Sequence, residues 1–206
     1  MTFSEKDIDL LKKQVETWLS PKRFLHTLGV ARAALKLAEY CLPDFMRETE
    51  AAALLHDISK EYTIEEQYQL INEFDIPIEK SDYESPQILH SFTAPAVIKK
   101  DFPKFATDRI LSAVFNHTIG SPDMTVFDEI IFLADYIEEN RTYDSCISVR
   151  NYVFNNMTDR DYESNIKVLH NACIKAIDYT VSNLSESKRL INFKNILTRN
   201  ALMSKI

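Results

Sequence analysis

Four of the chain's five histidines and two of its aspartates form a series that could bind metal ions. The series consists of His26, the adjacent pair His56-Asp57, His90, His117 and Asp135. Imidazole and carboxylate groups are the ligands of borderline divalent metals such as iron, manganese, cobalt and zinc. Six such groups are too many for one structural zinc. They suit two metals that share a bridging carboxylate and leave positions open for water and substrate.

Helices are predicted to carry these residues. The apolar residues recur with helical periodicity along the chain, and no segment alternates as a strand does. The expected fold class is therefore all-α, a helical bundle with the metal site between helices. Cap residues predict that helices begin at Ser4, Ser20, Thr63, Ser85, Thr107 and Thr125. Pro95 is expected to break the helix that bears His90.

The C-terminal part of the chain has no proline after Pro122. It is expected to form long helices, at about 145–157 and 159–184, and a shorter terminal helix. These helices should pack onto a metal site that is built by residues 21–141. The whole chain, residues 1–206, is thus predicted to form a single helical domain.

Two members of the series lie on apolar helix faces. His26 shares its face with Val30, and Asp135 follows Ile131 by four residues, which points both side chains inward. A buried carboxylate without a partner is destabilising by several kcal/mol, and a metal is a suitable partner. Each residue alone also fits a hydrogen-bonded core position, and His170, outside the series, is expected to be structural or solvated.

Charge and composition exclude several functional classes. The net charge of -7 argues against binding to nucleic acid, although a small phosphorylated ligand needs only a local cluster of cations. The three cysteines have no metal-binding spacing, which indicates reduced thiols and a cytoplasmic protein. No apolar run reaches the length of a bilayer, so no membrane partner is expected.

The chain has only two glycines, and each follows a candidate ligand by three residues. So few glycines exclude the glycine-rich phosphate loops of dinucleotide-binding and Walker motifs. Gly29, after His26, and Gly120, after His117, could let a substrate lie against the backbone. The alternatives are close helix packing at Gly29 and a helix C-cap at Gly120.

Four stretches of the sequence resemble a known family. The spacing of the His and Asp series is similar to that of the HD-domain metal phosphohydrolases. The residues of the four stretches resemble the bacterial YqeK branch of that family, and the resemblance covers roughly residues 15–200. The matching stretches are Arg23–Val30, Ala53–Lys60, Phe115–Gly120 and Ile131–Arg141. One departure is the segment after His90, where the family generally has small residues with glycine and this chain has Ser91–Pro95.

The resemblance implies an all-helical enzyme with two divalent metals, usually described as iron, that hydrolyses diadenosine tetraphosphate symmetrically to two ADP. Manganese, cobalt or zinc would also suit the ligands. The resemblance implies that Asp57 bridges the metals, that His26, His56 and Asp135 complete the first, and that His90 and His117 complete the second.

Phosphate contacts follow from the same resemblance. Lys60, three residues after Asp57, would stabilise charge on the phosphoryl oxygens, or would instead be a solvated charge at the end of a helix. Arg141 would hold a distal phosphate, or would instead pair with Glu138 at the surface. Asp57 and Lys60 are thus the expected catalytic residues. The expected substrate-binding residues are Gly29, Lys60, His90, His117, Thr118, Asp135, Arg141 and Arg199.

Two other functions stay open at this point. One is an HD phosphohydrolase of another nucleotide, such as a deoxynucleotide, a cyclic dinucleotide or a guanosine polyphosphate. The other is a metal-bound binding protein without turnover, which the complete set of ligand-type residues disfavours. For either kind of hydrolase, the expected partner is a nucleotide. A homodimer is compatible with the sequence.

Overall fold

Helices account for all the regular structure in the part of the chain that the structure describes. The structure is a computed structural model that describes residues 3–159 and 161–206. The α-helices are α1 Glu5–Trp18, α2 Pro21–Cys41, α3 Met46–Leu55, α4 Ile64–Glu73, α5 Lys80–Tyr83, α6 Leu89–Asp101, α7 Asp108–Asn116, α8 Val126–Ile137, α9 Asp144–Asn156, α10 Tyr162–Glu186 and α11 Phe193–Met203. Short 3-10 turns occupy Pro43–Phe45, Pro86–Ile88 and Pro103–Phe105. The all-α prediction is confirmed.

Five of the six predicted caps begin α-helices where the sequence placed them, whereas Ser85 forms no cap and precedes only the 3-10 turn Pro86–Ile88 before α6. Ser4, Thr63 and Thr125 each form a capping box, in which the cap side chain and the acidic side chain three residues later exchange hydrogen bonds with backbone N–H groups. Ser20 and Thr107 accept a hydrogen bond from the backbone three residues on. These local bonds set the direction in which α2, α7 and α8 present their histidines and aspartate.

The prediction that Pro95 breaks a helix is wrong, because α6 continues from Leu89 to Asp101 with Pro95 inside it. Proline has no N–H group, so the carbonyl of Ser91, four residues earlier, loses its helical hydrogen bond. The helix continues because α6 packs against α4 and α7, and the hydroxyl group of Ser59 donates to the carbonyl of His90 at 3.0 Å. Tertiary contacts therefore override the local preference.

The main hydrophobic core lies around α2, which packs against α3 and α8. Val30, Leu55, Ile131 and Leu133 are fully buried there. The C-terminal helices join the same core, because α10 packs against α8 and α9, and α11 packs against α10. A second apolar cluster contains Phe92 and lies beside α6.

Gly120 ends the α7 segment in the left-handed backbone conformation, with φ of +71°. Its N–H donates to the carbonyl of Asn116 at 2.9 Å. A Cβ at this position would also collide with Thr198 of α11. The C-cap alternative is therefore the one that the structure bears out, and glycine is required by both the backbone and the packing.

No helix within the described residues is both long enough and apolar enough to cross a bilayer. Cys41, Cys146 and Cys173 are free and buried. Burial raises the pKa of the Cys41 thiol to about 12, so it is an unreactive thiol at neutral pH.

A buried carboxylate ties the start of α11 to α5. Asp82 accepts hydrogen bonds from Asn192 Nδ2 at 2.8 Å, Lys194 Nζ at 2.7 Å and the backbone of Glu79 at 2.9 Å. Burial alone would raise the pKa of Asp82, but the bonds from Lys194 and the other donors lower it below its ordinary value. The folded state therefore favours the charged form.

We expect Asp82→Asn to lower the free energy of unfolding near neutral pH by about 1.5–3 kcal/mol, the range for hydrogen bonds to a charged group. A lowered carboxyl pKa stabilises the fold above the ordinary value, and this contribution is lost as pH falls through the lowered value. The difference between wild type and variant in urea unfolding should thus shrink at about pH 3. Glu84→Gln, at an exposed partner of Lys80, is the control and should change little. An equal difference at both pH values would contradict the assignment.

Candidate metal centre

The carboxylate of Asp57 lies at the middle of the predicted ligand series. It follows α3 directly and is buried. Its Oδ1 is 3.3 Å from His90 Nε2 and 3.6 Å from His117 Nε2. Its Oδ2 is 3.5 Å from His56 Nε2 and 3.7 Å from His26 Nε2. Each oxygen faces a different pair of imidazoles, which is the arrangement that a carboxylate between two metals needs.

Asp135 of α8 completes the side of the site that contains His26 and His56. Its Oδ1 lies 3.1 Å from His26 Nε2 and 3.9 Å from His56 Nε2. Within the described residues, two groups have donor atoms close enough to hold an ion: His26, His56 and Asp135, and His56, Asp57 and His117. His90 adjoins the second group, with its Nε2 3.1 Å from His117 Nε2. All six predicted ligands therefore converge.

Neighbouring acceptors orient three of the four imidazole rings. His56 Nδ1 lies 2.7 Å from the carbonyl of Ala53, and His117 Nδ1 lies 2.6 Å from the carbonyl of Val114. A carbonyl can only accept, so Nδ1 carries the proton in both rings and Nε2 presents its lone pair to the centre. His26 Nδ1 faces a carboxylate instead, at 3.3 Å from Glu138 Oε1.

The donor set fits a divalent cation. The Nε2 atoms of His26 and His56 are buried without a hydrogen-bond partner in residues 3–159 and 161–206, and the atom 3.1 Å from His26 Nε2 is itself an acceptor, Asp135 Oδ1. A metal satisfies such lone pairs. Burial alone would raise the pKa of Asp57, but His56 and the other imidazoles hold it well below its usual range, so the carboxylate is charged.

Three cations surround the centre. Arg23 Nη1 is 2.8 Å from Asp57 Oδ2, and Arg141 Nη2 is 2.5 Å from Asp135 Oδ1. Lys60 Nζ lies 3.2 Å from His90 Nδ1, and burial lowers the pKa of this ammonium. All three line a cavity of about 400 Å³ together with four of the six ligand-type side chains, those of Asp57, His90, His117 and Asp135. The candidate metal centre thus opens into a space with a basic wall.

The sequence from residue 23 to residue 140 matches the HD domain, which is more than half of the chain. The chain belongs to the HD-domain family. The resemblance that the four sequence stretches indicated is confirmed, and the match spans all six ligand-type residues of the HD site described above.

Two curated relatives extend the match beyond the HD domain. A symmetrical bis(5'-nucleosyl)-tetraphosphatase of Bacillus subtilis is 30% identical over 92% of this chain and 94% of its own length. A protein of the same name from Staphylococcus aureus is 32% identical over 72% of this chain and 75% of its own. A crystal structure from Clostridium acetobutylicum, described as a predicted HD superfamily hydrolase involved in NAD metabolism, covers both chains completely with a TM-score of 0.82. At 23% identity it shows that the fold is shared.

Gly29 does not face the cavity of this HD protein, which corrects the expectation that substrate lies against it. A Cβ at Gly29 would collide with the carboxylate of Glu138 and approach Asn140 to 3.0 Å. The alternative of close packing is the correct one. The missing side chain makes room for the acceptor of the His26 ring.

Arg199 is also placed differently from the expectation that it binds substrate. Its Nε lies 2.5 Å from Asp178 Oδ1, so it links α11 to α10 at the surface, and it does not line the metal cavity. Thr118, in contrast, lines the cavity, with Oγ1 3.0 Å from His117 Nε2. Lys60 faces the cavity too, so its alternative as a solvated helix-end charge is disfavoured.

Arg141 reaches Asp135 rather than Glu138, so the alternative of a surface ion pair with Glu138 is not the one that the structure has. The guanidinium group of Arg141 thus lies next to a candidate metal ligand, closer to the centre than expected for a residue that binds a distal phosphate. The backbone explains this position, since the N–H of Arg141 donates to the carbonyl of Glu138 in a turn that brings residue 141 back over α8. The tight turn after a helix was not visible as a sequence pattern.

Sequence reasoning missed two residues at the site, Arg23 and Glu138. Arg23 lies three residues before His26, on the same helix face, and this spacing was the available signal. Glu138 is 2% exposed and accepts hydrogen bonds from the backbone of Asn140 at 2.7 Å and from its Nδ2 at 2.9 Å. A buried glutamate beside a candidate ligand ring could be found only from the fold.

We expect Glu138→Gln to lower the affinity for divalent metal about 10- to 100-fold, as for other partners of metal-binding histidines. Both carboxylate oxygens of Glu138 face hydrogen-bond donors, but a glutamine side chain has only one acceptor oxygen. Its NH₂ group must therefore face either the Nδ1–H of His26 or the donors of Asn140, and a hydrogen bond is lost there. Metal titration of the apoprotein measures the effect. Glu139→Gln is the matched control, because the adjacent Glu139 is exposed and pairs with Arg32. Equal affinities in the two variants would show that Glu138 has no such role.

Proposed function

We propose that this protein is a metal-dependent hydrolase that cleaves diadenosine tetraphosphate symmetrically to two ADP. The observation that carries the proposal is the likeness along nearly the whole chain to the symmetrical tetraphosphatase of Bacillus subtilis. The convergence of all six ligand-type residues around Asp57, four of which line the cavity, supports it. A relative that had kept the fold and lost the reaction would be expected to lack part of this set.

The proposed cofactor is a pair of divalent metals, with iron as the first expectation and manganese, cobalt or zinc as alternatives. Asp57 would lie between them. His26, His56 and Asp135 would hold one metal, and His90 and His117 the other, in line with the pairs that face each Asp57 oxygen. When bound there, the metals supply Lewis acidity toward a phosphoryl oxygen and an acidified water as nucleophile.

The residues around the centre would bind and orient a polyphosphate. Arg23, Lys60 and Arg141 bring three positive charges to one cavity of a chain whose net charge is -7. Such a local basic wall attracts phosphate despite the overall negative charge. The side chain of Lys60 is held by a contact to the carbonyl of Gln87 at 3.3 Å, which keeps its ammonium beside His90.

Symmetrical cleavage fixes where the substrate must lie. Water adds its oxygen to one of the two central phosphorus atoms, and the bridging oxygen leaves with the other half, so that both products are ADP. The central bridge must therefore lie beside Asp57 and within reach of Lys60. Lys60 would donate a hydrogen bond to the phosphoryl oxygens as their charge develops. Localisation in the cytoplasm and assembly as a homodimer stay predictions.

We expect the metal-loaded protein to convert diadenosine tetraphosphate to ADP alone, as measured by chromatography of the products. Asp57→Ala should lose nearly all activity, because the carboxylate that faces both histidine pairs is gone. AMP with ATP would instead indicate asymmetric cleavage. Cleavage of a different nucleotide in a substrate panel would favour the other HD phosphohydrolases, and no cleavage with any divalent metal would favour a binding protein.

We expect Lys60→Ala to lower kcat by about 100-fold and to leave metal content unchanged, which is the usual effect of removing one donor to a developing charge. Elemental analysis and steady-state kinetics on the same preparation test both parts. Lys99→Ala, at an exposed lysine of α6, is the control. A loss of metal in the Lys60 variant would mean that this residue supports the centre and does not act on phosphate.

A further inference from the structure

The metal cavity opens into two neighbouring spaces. The larger, here called the outer groove, has a volume of about 720 Å³ and shares Tyr136, Arg141 and Thr180 with the cavity. The smaller, here called the side pocket, has a volume of about 210 Å³ and shares Gln87, Thr118 and Thr180 with the cavity. Thr180 of α10 lines all three spaces. The cavity therefore has two extensions and is not a closed site.

A dinucleoside polyphosphate needs such extensions. If its central phosphates lie at the metal ligands, each nucleoside must lie outside the cavity of about 400 Å³. The outer groove alone falls within the range of about 300–1,000 Å³ that is typical of small-molecule sites. This step rests on the proposed function, because a smaller phosphate ester would not need the groove.

The outer groove has the side chains that recognise a nucleoside. Tyr143 and Tyr179 line it and are 72% and 42% exposed, so their rings are free to stack on a base. Asp144 and Glu186 also line it. Carboxylates accept hydrogen bonds from ribose hydroxyl groups and repel phosphate, which leaves the end near Arg141 for the phosphates.

A second arginine is placed over both extensions by the end of α10. Lys188 adopts a left-handed conformation with φ of 53°, its N–H donates to the carbonyl of Ser185 at 3.0 Å, and the N–H of Arg189 donates to the carbonyl of Leu184 at 2.8 Å. These two bonds are those of a Schellman motif. The motif turns the chain so that Arg189 lines both the outer groove and the side pocket.

We propose that the outer groove is a nucleoside subsite, in which Tyr143 stacks on the base and Arg189 binds a phosphate outside the metal centre. The arginine of the C-terminal region that contacts substrate is then Arg189 and not Arg199. Arg199 is the natural comparison, because it lies nearby on α11 but its guanidinium pairs with Asp178.

The test uses the full-length, metal-loaded protein and the variants Arg189→Ala, Tyr143→Ala and Arg199→Ala. KM and kcat are measured for diadenosine tetraphosphate, and binding of ADP and of pyrophosphate is measured by calorimetry. Arg189→Ala should raise KM and the Kd for ADP roughly tenfold, with little change in kcat or metal content. Tyr143→Ala should weaken ADP and leave pyrophosphate unchanged. Arg199→Ala should match wild type, and thermal unfolding should show that all three are folded.

The ADP measurements separate failure of the subsite from failure of the proposed function. Wild-type cleavage with both the Arg189 and Tyr143 variants equal to the Arg199 variant would overturn the subsite and leave the function intact. Arg189-dependent ADP binding without cleavage would support the subsite and overturn the function. Absence of ADP binding to wild type would overturn the subsite. If Arg189→Ala does not fold, Arg189→Gln gives the same comparison.

Discussion

The sharing of one buried carboxylate by four imidazoles is the constraint on which this structure depends. Asp57 can face His26 and His56 with one oxygen, and His90 and His117 with the other, only if the helices that bear them meet at the end of α3. The alanines at 51–53 of α3 are fully buried, and their small side chains permit that approach. The helices of the core therefore meet at a cluster of charged and polar groups. Apolar packing alone would not bring them together at such a point.

The rings are then fixed from outside the centre. The carbonyl groups of Ala53 and Val114 orient two of them through bonds within their own helical segments. The ring of His26 lacks such a carbonyl partner and depends on Glu138, which arrives from the end of α8 into the space left by Gly29. A glycine in the middle of a long helix, destabilising by about 1 kcal/mol relative to alanine, is thus explained by the geometry of a ligand one turn away.

The parts of this protein that were predictable from sequence are those set by local chemistry. Caps such as Ser4 and Thr125 act on their own helix, and the ligand series is distinctive because few other uses bring histidine and aspartate inward on successive helices. The fold class follows from the same local patterns. Pro95, Gly29 and Arg199 were misjudged because their surroundings come from distant segments.

Arg199 and Arg141, whose positions differ from those expected, show the same limit of sequence-based prediction. Whether an arginine in the C-terminal region contacts solvent, a carboxylate or a ligand depends on how α10 ends and where α11 packs. Asp178 pairs with Arg199, and the turn at Lys188 directs Arg189. Neither the ion pair nor the turn has a residue spacing that can be recognised from sequence alone. The position of Arg141 depends in the same way on a turn after α8.

The match to the HD domain ends at residue 140, and the wall of the outer groove begins at Tyr136 and continues through Tyr143 to Arg189. All six ligand-type residues thus lie in one stretch of the chain, and most of the groove is built by the next. In the proposed enzyme, the residues for reactivity and those for substrate recognition would be encoded in consecutive segments of the chain. Exchange of the second segment between relatives would be a route to new substrate ranges in evolution or in protein engineering, since the first could stay unchanged.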